Sequence, residues 1–234
     1  MNKKFTDLAK KSKVIVIKVG SNILVNEKHT LRKKWLATLV DDVQKLQKKG
    51  SKVIIVSSGA IALGRNILSK KKLTNLHEKQ AAASIGQIQL SQQWQKAFAK
   101  LKIQSSQILI TAEDLNERRK YLNIRNTIFS LMDLNVVPII NENDTTSTEE
   151  IRFGDNDKLS AMITNALSAE LLILLSDVDG LYTANPKKST QAKLITDVTE
   201  INHDLEKYID KDLSEFGSGG MLAKVNAAKL CMQS

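Results

Sequence analysis

The chain has 234 residues, 42% hydrophobic and 26% charged, which is enough apolar material for a buried core and sets it apart from disordered or collagen-like sequences. Its formal net charge of +10 invites a nucleic-acid reading, yet aromatics are only 4% and leave little surface for stacking on bases. Many of the lysines sit in the first dozen residues and in the run Lys70-Lys71-Lys72, as solvated surface does, and a basic surface suits small anionic substrates equally well.

The N-terminal stretch MNKKFTDLAKKSK is basic, but the apolar run behind it, Val14 to Ile17, is far shorter than a signal-peptide core or a membrane span. A cytoplasmic location without membrane contact is expected. Cys231 stands alone and cannot form an internal disulfide, and His29, His77 and His203 have no metal-ligand spacing with it or with one another.

Five short apolar runs then punctuate the chain: VIVIKV from Val14, VIIV from Val53, QILI from Gln107, VVPII from Val136 and LLILL from Leu171. They do not alternate polar with apolar, which fits strands buried on both faces. Between them lie helical stripes, one over Leu31, Trp35, Leu39, Val43 and Leu46, another over Leu159, Met162, Ile163, Ala166 and Leu167. Alternation of strands and helices predicts an α/β fold, a three-layer αβα sandwich around a mainly parallel sheet. Pro138 cannot donate to a ladder and places VVPII at an edge or a bulge. The polar segment Thr145 to Phe153 reads as a hairpin or loop over the carboxyl ends of the strands, where open α/β sheets bind ligands. No repeat, linker or domain boundary interrupts the pattern. From Met221, the positions Leu222, Val225, Ala228 and Met232 read as an amphipathic helix still running at Ser234 without a stop signal.

Two familiar phosphate signatures fail. GAIALGRN from Gly59 has the Walker glycine spacing but Arg-Asn in place of Lys-Ser/Thr, and GSGGML around Gly217 does not satisfy GxGxxG. What remains is a set of glycine-bearing turns directly after strands, Lys18-Val19-Gly20-Ser21 and Ser57-Ser58-Gly59-Ala60, which can present N–H groups to an anion or can simply be ordinary turns. Lys18 lies inside a buried strand, and an ammonium there needs a carboxylate or a phosphate. Asn141-Glu142-Asn143-Asp144 and Gly154-Asp155-Asn156-Asp157-Lys158 gather carboxylates and amides that can bind an ammonium, bridge to Mg²⁺ or orient a lysine. Asp155 or Asn156 also suits a helix N-cap. Ser176-Asp177 follows the LLILL run, and Ser218-Gly219-Gly220-Met221 precedes a helix carrying Lys224, a plausible nucleotide-phosphate cradle.

In this order KVGSN, VSSGA, INEND, GDNDKLSA, LLSDVDGLYT and SGGMLAK resemble the amino acid kinase family, over nearly the whole chain. INEND followed by GDND is similar to the branch of that family that phosphorylates glutamate. The resemblance implies transfer from ATP to the γ-carboxylate of L-glutamate, the first step of proline biosynthesis, with Mg²⁺ required and brought mainly by ATP, so that no protein metal ligand is assigned. It implies that Lys18, Ser176, Asp177 and the run Ser218, Gly219, Gly220, Met221, Leu222, Ala223 and Lys224 contact ATP. Ser58, Gly59, Asp144 and Asn156 would hold glutamate. Lys18 and Lys224 would stabilise the moving phosphoryl group and Asp157 would hold the two ammonium groups in place. Small departures are Ser176 and Ser218, where threonine is as frequent, and Arg152, where lysine is common. The resemblance further implies a homo-oligomer and inhibition by proline. It also implies more strands, and in many members an RNA-binding domain of the PUA type, beyond the point where this chain stops. The expectation is one amino acid kinase domain over 1–234 that lacks its C-terminal end and has no PUA domain, less stable and weaker as a kinase than an extended chain. The alternative is a ligand-binding homologue without strong activity; such a relative would have lost a lysine or the acid cluster, and all are present here.

Overall fold

The computed structural model describes residues 3–69, 72–147, 155–186, 189–201 and 220–233. Ser218, Gly219, Arg152 and the part of the Thr145 to Phe153 segment beyond Ser147 lie outside the described residues. Each of the five apolar runs forms a strand: β1 (Val14–Val19), β2 (Lys52–Ser57), β3 (Ser105–Ile110), β4 (Val137–Glu142) and β5 (Leu171–Leu175). They make one wholly parallel sheet in the order β3-β4-β2-β1-β5. A two-stranded antiparallel ribbon, β6 (Leu181–Tyr182) with β7 (Leu194–Ile195), stands apart from it.

The helices among the described residues are α1 (Lys3–Lys11), α2 (Ser21–Leu24), α3 (Lys33–Lys48), α4 (Ala60–Ile67), α5 (Leu76–Ala99), α6 (Ala112–Asn116), α7 (Arg118–Asp133), α8 (Asp155–Leu167) and α9 (Gly220–Met232). Successive strand residues point to opposite faces, so each central strand feeds two cores. On one face Ile15, Ile17, Val53, Ile55 and Ile139 pack against Leu36, Val40 and Val43 of α3, Leu63 of α4 and Leu90, Trp94 and Phe98 of α5. On the other, Val16, Ile54, Val56 and Ile140 pack against Leu115 of α6, Ile128 and Met132 of α7 and Leu159 and Ile163 of α8. Sandwiched between two helical layers, the sheet gives the three-layer architecture expected. Helix α9 lies against α8, and Asn165 Nδ2 donates to the Leu230 carbonyl at 3.1 Å.

Pro138 is not at an edge, since β4 lies between β3 and β2. Val137 N–H donates toward β3, to Gln104 O at 2.9 Å, so the nitrogen of the next residue faces β2. The β2–β4 pairing begins only at Ile55–Ile139, and proline therefore removes no ladder bond. The stripe on α3 is also shifted: Leu36, Val40 and Val43 are its buried residues, while Leu31 precedes the helix in a bridge with Val25 and Trp35, Leu39 and Leu46 pack at the flank. At the other end α9 buries Val225 and Ala227 and leaves Met232 exposed.

Helices α4 and α5 meet backbone to backbone. A Cβ at Gly64 would lie 1.7 Å from Ala82 O, and one at Gly86 would lie 1.8 Å from Ala60 O. Because these are main-chain atoms, an added methyl must push the helices apart, displacing the turn that opens α4. Gly64→Ala and Gly86→Ala are therefore expected to cost about 1–3 kcal/mol or more in urea unfolding. Ile88→Ala on the same α5, where the side chain is 75% exposed, should stay within about 0.5 kcal/mol. Glycine variants as stable as the parent chain would contradict the close approach.

Candidate active site

A cleft of about 970 Å³ opens along the carboxyl ends of β1, β2, β4 and β5, where the turns after these strands converge. At its floor is a charge cluster. Since Ile17 and Val19 face α3 to α5, the intervening Lys18 projects toward α8, and its Nζ lies 2.8 Å from Asp157 Oδ1 in the first turn of that helix. The other carboxylate oxygen, Oδ2, lies 3.4 Å from Lys224 Nζ on α9. The side chains are 7%, 2% and 19% exposed for Lys18, Asp157 and Lys224. Lys224 Nζ also donates to Gly220 O at 3.1 Å.

One buried and one partly buried ammonium group thus share one carboxylate, and among the described residues this cluster carries one positive charge in excess. Burial pushes the Lys18 ammonium below the usual lysine range; the Asp157 carboxylate opposes that shift and the Lys224 charge reinforces it. An incoming phosphate would supply the missing negative charge.

Beside this cluster lies a neutral polar group. Asn156 Nδ2 donates to Ser58 Oγ at 2.9 Å and to Asn141 Oδ1 at 3.1 Å, while Asn156 Oδ1 is buried without a hydrogen-bond partner. Asn156 therefore lies inside the first turn of α8 with its amide reaching across the sheet, and does not serve as the helix cap. Half-buried Asp144 lines the same cleft, with Gly59. Gly59 adopts φ +113°, a left-handed conformation that favours glycine, and a Cβ there would come 3.2 Å from Val25 Cγ2.

The two turns expected to present N–H groups are both at the cleft, but two of their donors are already engaged. Gly20 N–H donates to Leu175 O at 3.3 Å and Ser58 N–H to Val19 O at 3.0 Å, which ties the turns to neighbouring strands. A Cβ at Gly20 would lie 3.2 Å from that same Leu175 oxygen. On the opposite flank Ser176, Asp177, Gly220 and Met221 line the cleft, and Ser176 Oγ donates to Asp177 Oδ1 at 3.3 Å. Leu222 and Ala223 do not line it. The structure thus brings Lys18, Ser58, Gly59, Asp144, Asn156, Asp157, Ser176, Asp177, Gly220, Met221 and Lys224 to one cavity. Sequence reasoning assigned Lys72 to solvated surface and missed Arg65 and Lys79, which with it form a basic rim to the cleft; the excess of positive charge was the only signal for these two. Among the described residues no group of three or more His, Cys, Asp or Glu side chains is placed to hold a metal ion.

A lysine-bearing strand, an acid opening a crossover helix and a second lysine on a further helix are thus gathered at the strand ends of a parallel sheet. A model of the amino acid kinase family matches residues 13–234, and the chain belongs to that family. Among curated proteins it is 51% identical over 226 residues to a protein named glutamate 5-kinase from Pelagibacter ubique (strain HTCC1062), covering 96% of this chain and 61% of that protein. It is 49% identical over 226 residues to a glutamate 5-kinase from Nitrosospira multiformis, with the same coverage. The chain therefore spans about 60% of the length of the curated relatives it matches. Among solved structures, the isopentenyl phosphate kinase substrate complex superposes with a TM-score of 0.62 at 17% identity over 86% of this chain and 85% of that one. The T. acidophilum isopentenyl phosphate kinase product complex gives 0.59 at 14% identity over 92% and 87%. These likenesses show the fold.

Replacing Asp157 by asparagine would leave Lys18 and Lys224 facing one another without a counter-charge. Asp157→Asn is expected to cost about 3–5 kcal/mol at pH 7, the scale for breaking a buried ion pair. In the variant Lys18 is depressed further in the folded state only, so the unfolded chain holds the extra proton. The loss should shrink as pH rises toward the ordinary lysine range, because the folded state no longer carries the buried charge there. Chemical denaturation at pH 7 and pH 9.5 checks this; an equal loss at both would show that Asp157 does not hold the lysines electrostatically.

Proposed function

We propose that this chain carries the active site of an ATP-dependent kinase that phosphorylates the γ-carboxylate of L-glutamate to L-glutamyl 5-phosphate, the reaction that opens proline biosynthesis. The observation that carries this reading is the buried Lys18–Asp157–Lys224 cluster, a positive site with one carboxylate too few, beside an amide group with an unmet acceptor. Proteins named glutamate 5-kinase at about half identity support the choice of substrate.

In this reading the ATP phosphates lie over Lys18 and Lys224, with Ser176, Asp177, Gly220 and Met221 on the nucleotide side. Ser218 and Gly219 would join them. The match is one of charge and volume: a cleft of about 970 Å³ accommodates a nucleotide and a small amino acid together. Mg²⁺ would enter on the ATP phosphates and neutralise charge developing between them. Ser58, Gly59, Asp144 and Asn156 would hold the amino-acid end of glutamate away from the reacting carboxylate. Asp144 offers an anion to the α-ammonium.

One γ-carboxylate oxygen attacks the terminal phosphorus, the bond from that phosphorus to the bridging oxygen breaks, and ADP leaves with the bond's electrons. No general base is required, because the carboxylate is already ionised at neutral pH. The two lysines screen the approach of one anion to another and follow the charge as it moves, while Asp157 fixes their spacing. Inhibition by proline, assembly into a homo-oligomer and a cytoplasmic location belong to the same reading; no described helix is long and apolar enough to cross a membrane.

The test is ADP release with Mg²⁺, ATP and a panel of acceptors, where L-glutamate should turn over fastest. Faster turnover with N-acetylglutamate, aspartate or UMP would overturn the assignment. Lys18→Ala and Lys224→Ala should each lower kcat about 10²- to 10³-fold, the scale of one lost transition-state charge contact. An unchanged kcat would remove that lysine from the mechanism. Asp144→Ala should chiefly raise the glutamate KM, since its contact is alike in ground and transition states; a rise in the ATP KM instead would place the acid on the wrong substrate.

Depression of the Lys18 ammonium also sets a pH limb. Activity that needs Lys18 charged is present at low and neutral pH and falls as pH rises through a value below the ordinary lysine pKa of about 10.4. A kcat profile flat up to that pH would contradict the buried, functional ammonium.

A further inference from the structure

A line of side-chain amides runs from the far edge of the sheet to the cleft. Ser91 Oγ on α5 donates to Gln107 Oε1 on β3, and Gln87 Nε2, one turn earlier on α5, donates to Ser91 Oγ at 3.2 Å. Asn141 Nδ2 on β4 donates to Gln87 Oε1 at 2.7 Å. Asn156 Nδ2 then donates to Asn141 Oδ1 at 3.1 Å and to Ser58 Oγ at 2.9 Å.

Every amide in such a chain can in principle be turned over, exchanging donor for acceptor, but one contact here forbids it. The backbone N–H of Glu142 donates to Asn141 Oδ1 at 2.9 Å, and a backbone N–H can only donate. Asn141 must therefore keep Oδ1 at that end, offer its Nδ2 to Gln87, and receive Asn156 through the Nδ2 of that residue. The same polarity leaves Asn156 Oδ1 as an acceptor that no group among the described residues satisfies. Asn141 is only 3% exposed, so water does not readily substitute for a lost partner.

We propose that Gln87 is a positioning residue for the acceptor substrate: its Oε1 holds the Asn141 amide, and through it fixes which end of Asn156 faces the ligand. Gln87 lies on the opposite helical layer from α8 and does not line the cleft. This inference rests on the glutamate-site reading of Asn156 given above. Apolar replacement of Gln87 leaves the buried Asn141 Nδ2 without an acceptor and loosens Asn156. A carboxylate at position 87 keeps an acceptor toward Asn141, and the Ser91 hydroxyl can rotate to donate to it.

The experiment compares the parent chain with Gln87→Leu and Gln87→Glu by steady-state kinetics and by NMR of the side-chain amides in ¹⁵N-asparagine-labelled protein. Gln87→Leu should raise the L-glutamate KM about 10-fold, leave the ATP KM within about 2-fold, and shift the Asn156 side-chain amide resonances; this corresponds to losing one hydrogen bond's worth of orientation. Gln87→Glu should restore both the KM and the resonances. A melting temperature taken on each variant separates a general loss of packing, which would raise both KM values. If Gln87→Leu leaves the glutamate KM and the Asn156 resonances unchanged, or Gln87→Glu is as impaired as Gln87→Leu, the proposal is overturned. If the parent chain does not act on L-glutamate at all, the substrate reading fails by itself, and the NMR comparison alone decides the relay: shifted resonances in Gln87→Leu but not in Gln87→Glu sustain it, and any other pattern overturns it.

Discussion

The arrangement of this molecule depends on one buried carboxylate. Asp157 pairs with a lysine on the central strand β1 and with another on α9, so a single side chain joins the sheet, the crossover helix α8 and a helix more than sixty positions further along. Bringing three charges out of water is expensive, and the mutual attraction inside repays it only when geometry is good and remaining groups are bonded. Here one positive charge is left in excess, which costs stability and, in the proposed reading, serves to hold a phosphate. That imbalance separates a binding site from a structural ion pair.

Around this cluster the fold solves a positioning problem. Parallel strands end together, so the turns after β1, β2, β4 and β5 bring residues distant in sequence to one line. Two of these turns are tied to neighbouring strands, Gly20 to β5 and Ser58 to β1, and near the end of β4 Asn141 Oδ1 accepts from the backbone N–H of Glu142. The close contact of α4 with α5, possible only because Gly64 and Gly86 lack side chains, fixes the helix behind the Ser58-Gly59 turn. Trp94 on α5 adds a bond from its Nε1 to Ser57 Oγ at 2.9 Å, immediately before that turn. In the proposed reading, substrate ends gripped by such residues have little freedom left to lose, which is how a site without a protein nucleophile would accelerate the union of two anions.

Much of this is legible in the amino-acid sequence because it rests on local chemistry. Apolar runs without alternation gave away buried parallel strands, and a lysine inside the first of them demanded an acidic partner, which Asp157 supplies. Other features depend on register and on contacts between distant segments. Pro138 looked like an edge residue because a missing N–H matters only when it faces a partner, and the side it faces is set by pairing that no single strand specifies. Leu31 drew the helical stripe off by one position, because it belongs to the bridge with Val25 that precedes α3. Asn156 has the chemistry of a helix cap but reaches Ser58, 98 positions away. Gln87, 54 positions from Asn141, gave no sequence signal at all; a glutamine on a polar helical face has no mark to distinguish a buried relay from a solvated surface.

The most direct measurement of the central claim is a crystal structure of the protein with ADP, Mg²⁺, L-glutamate and a planar fluoride mimic of the phosphoryl group in transfer. The account predicts that Lys18 Nζ and Lys224 Nζ both lie within hydrogen-bond distance of the mimic while Asp157 still bridges them, and that the glutamate amino end sits between Asp144 and Asn156. A mimic bound away from the two lysines, or a bridging carboxylate that has released either one, would contradict it.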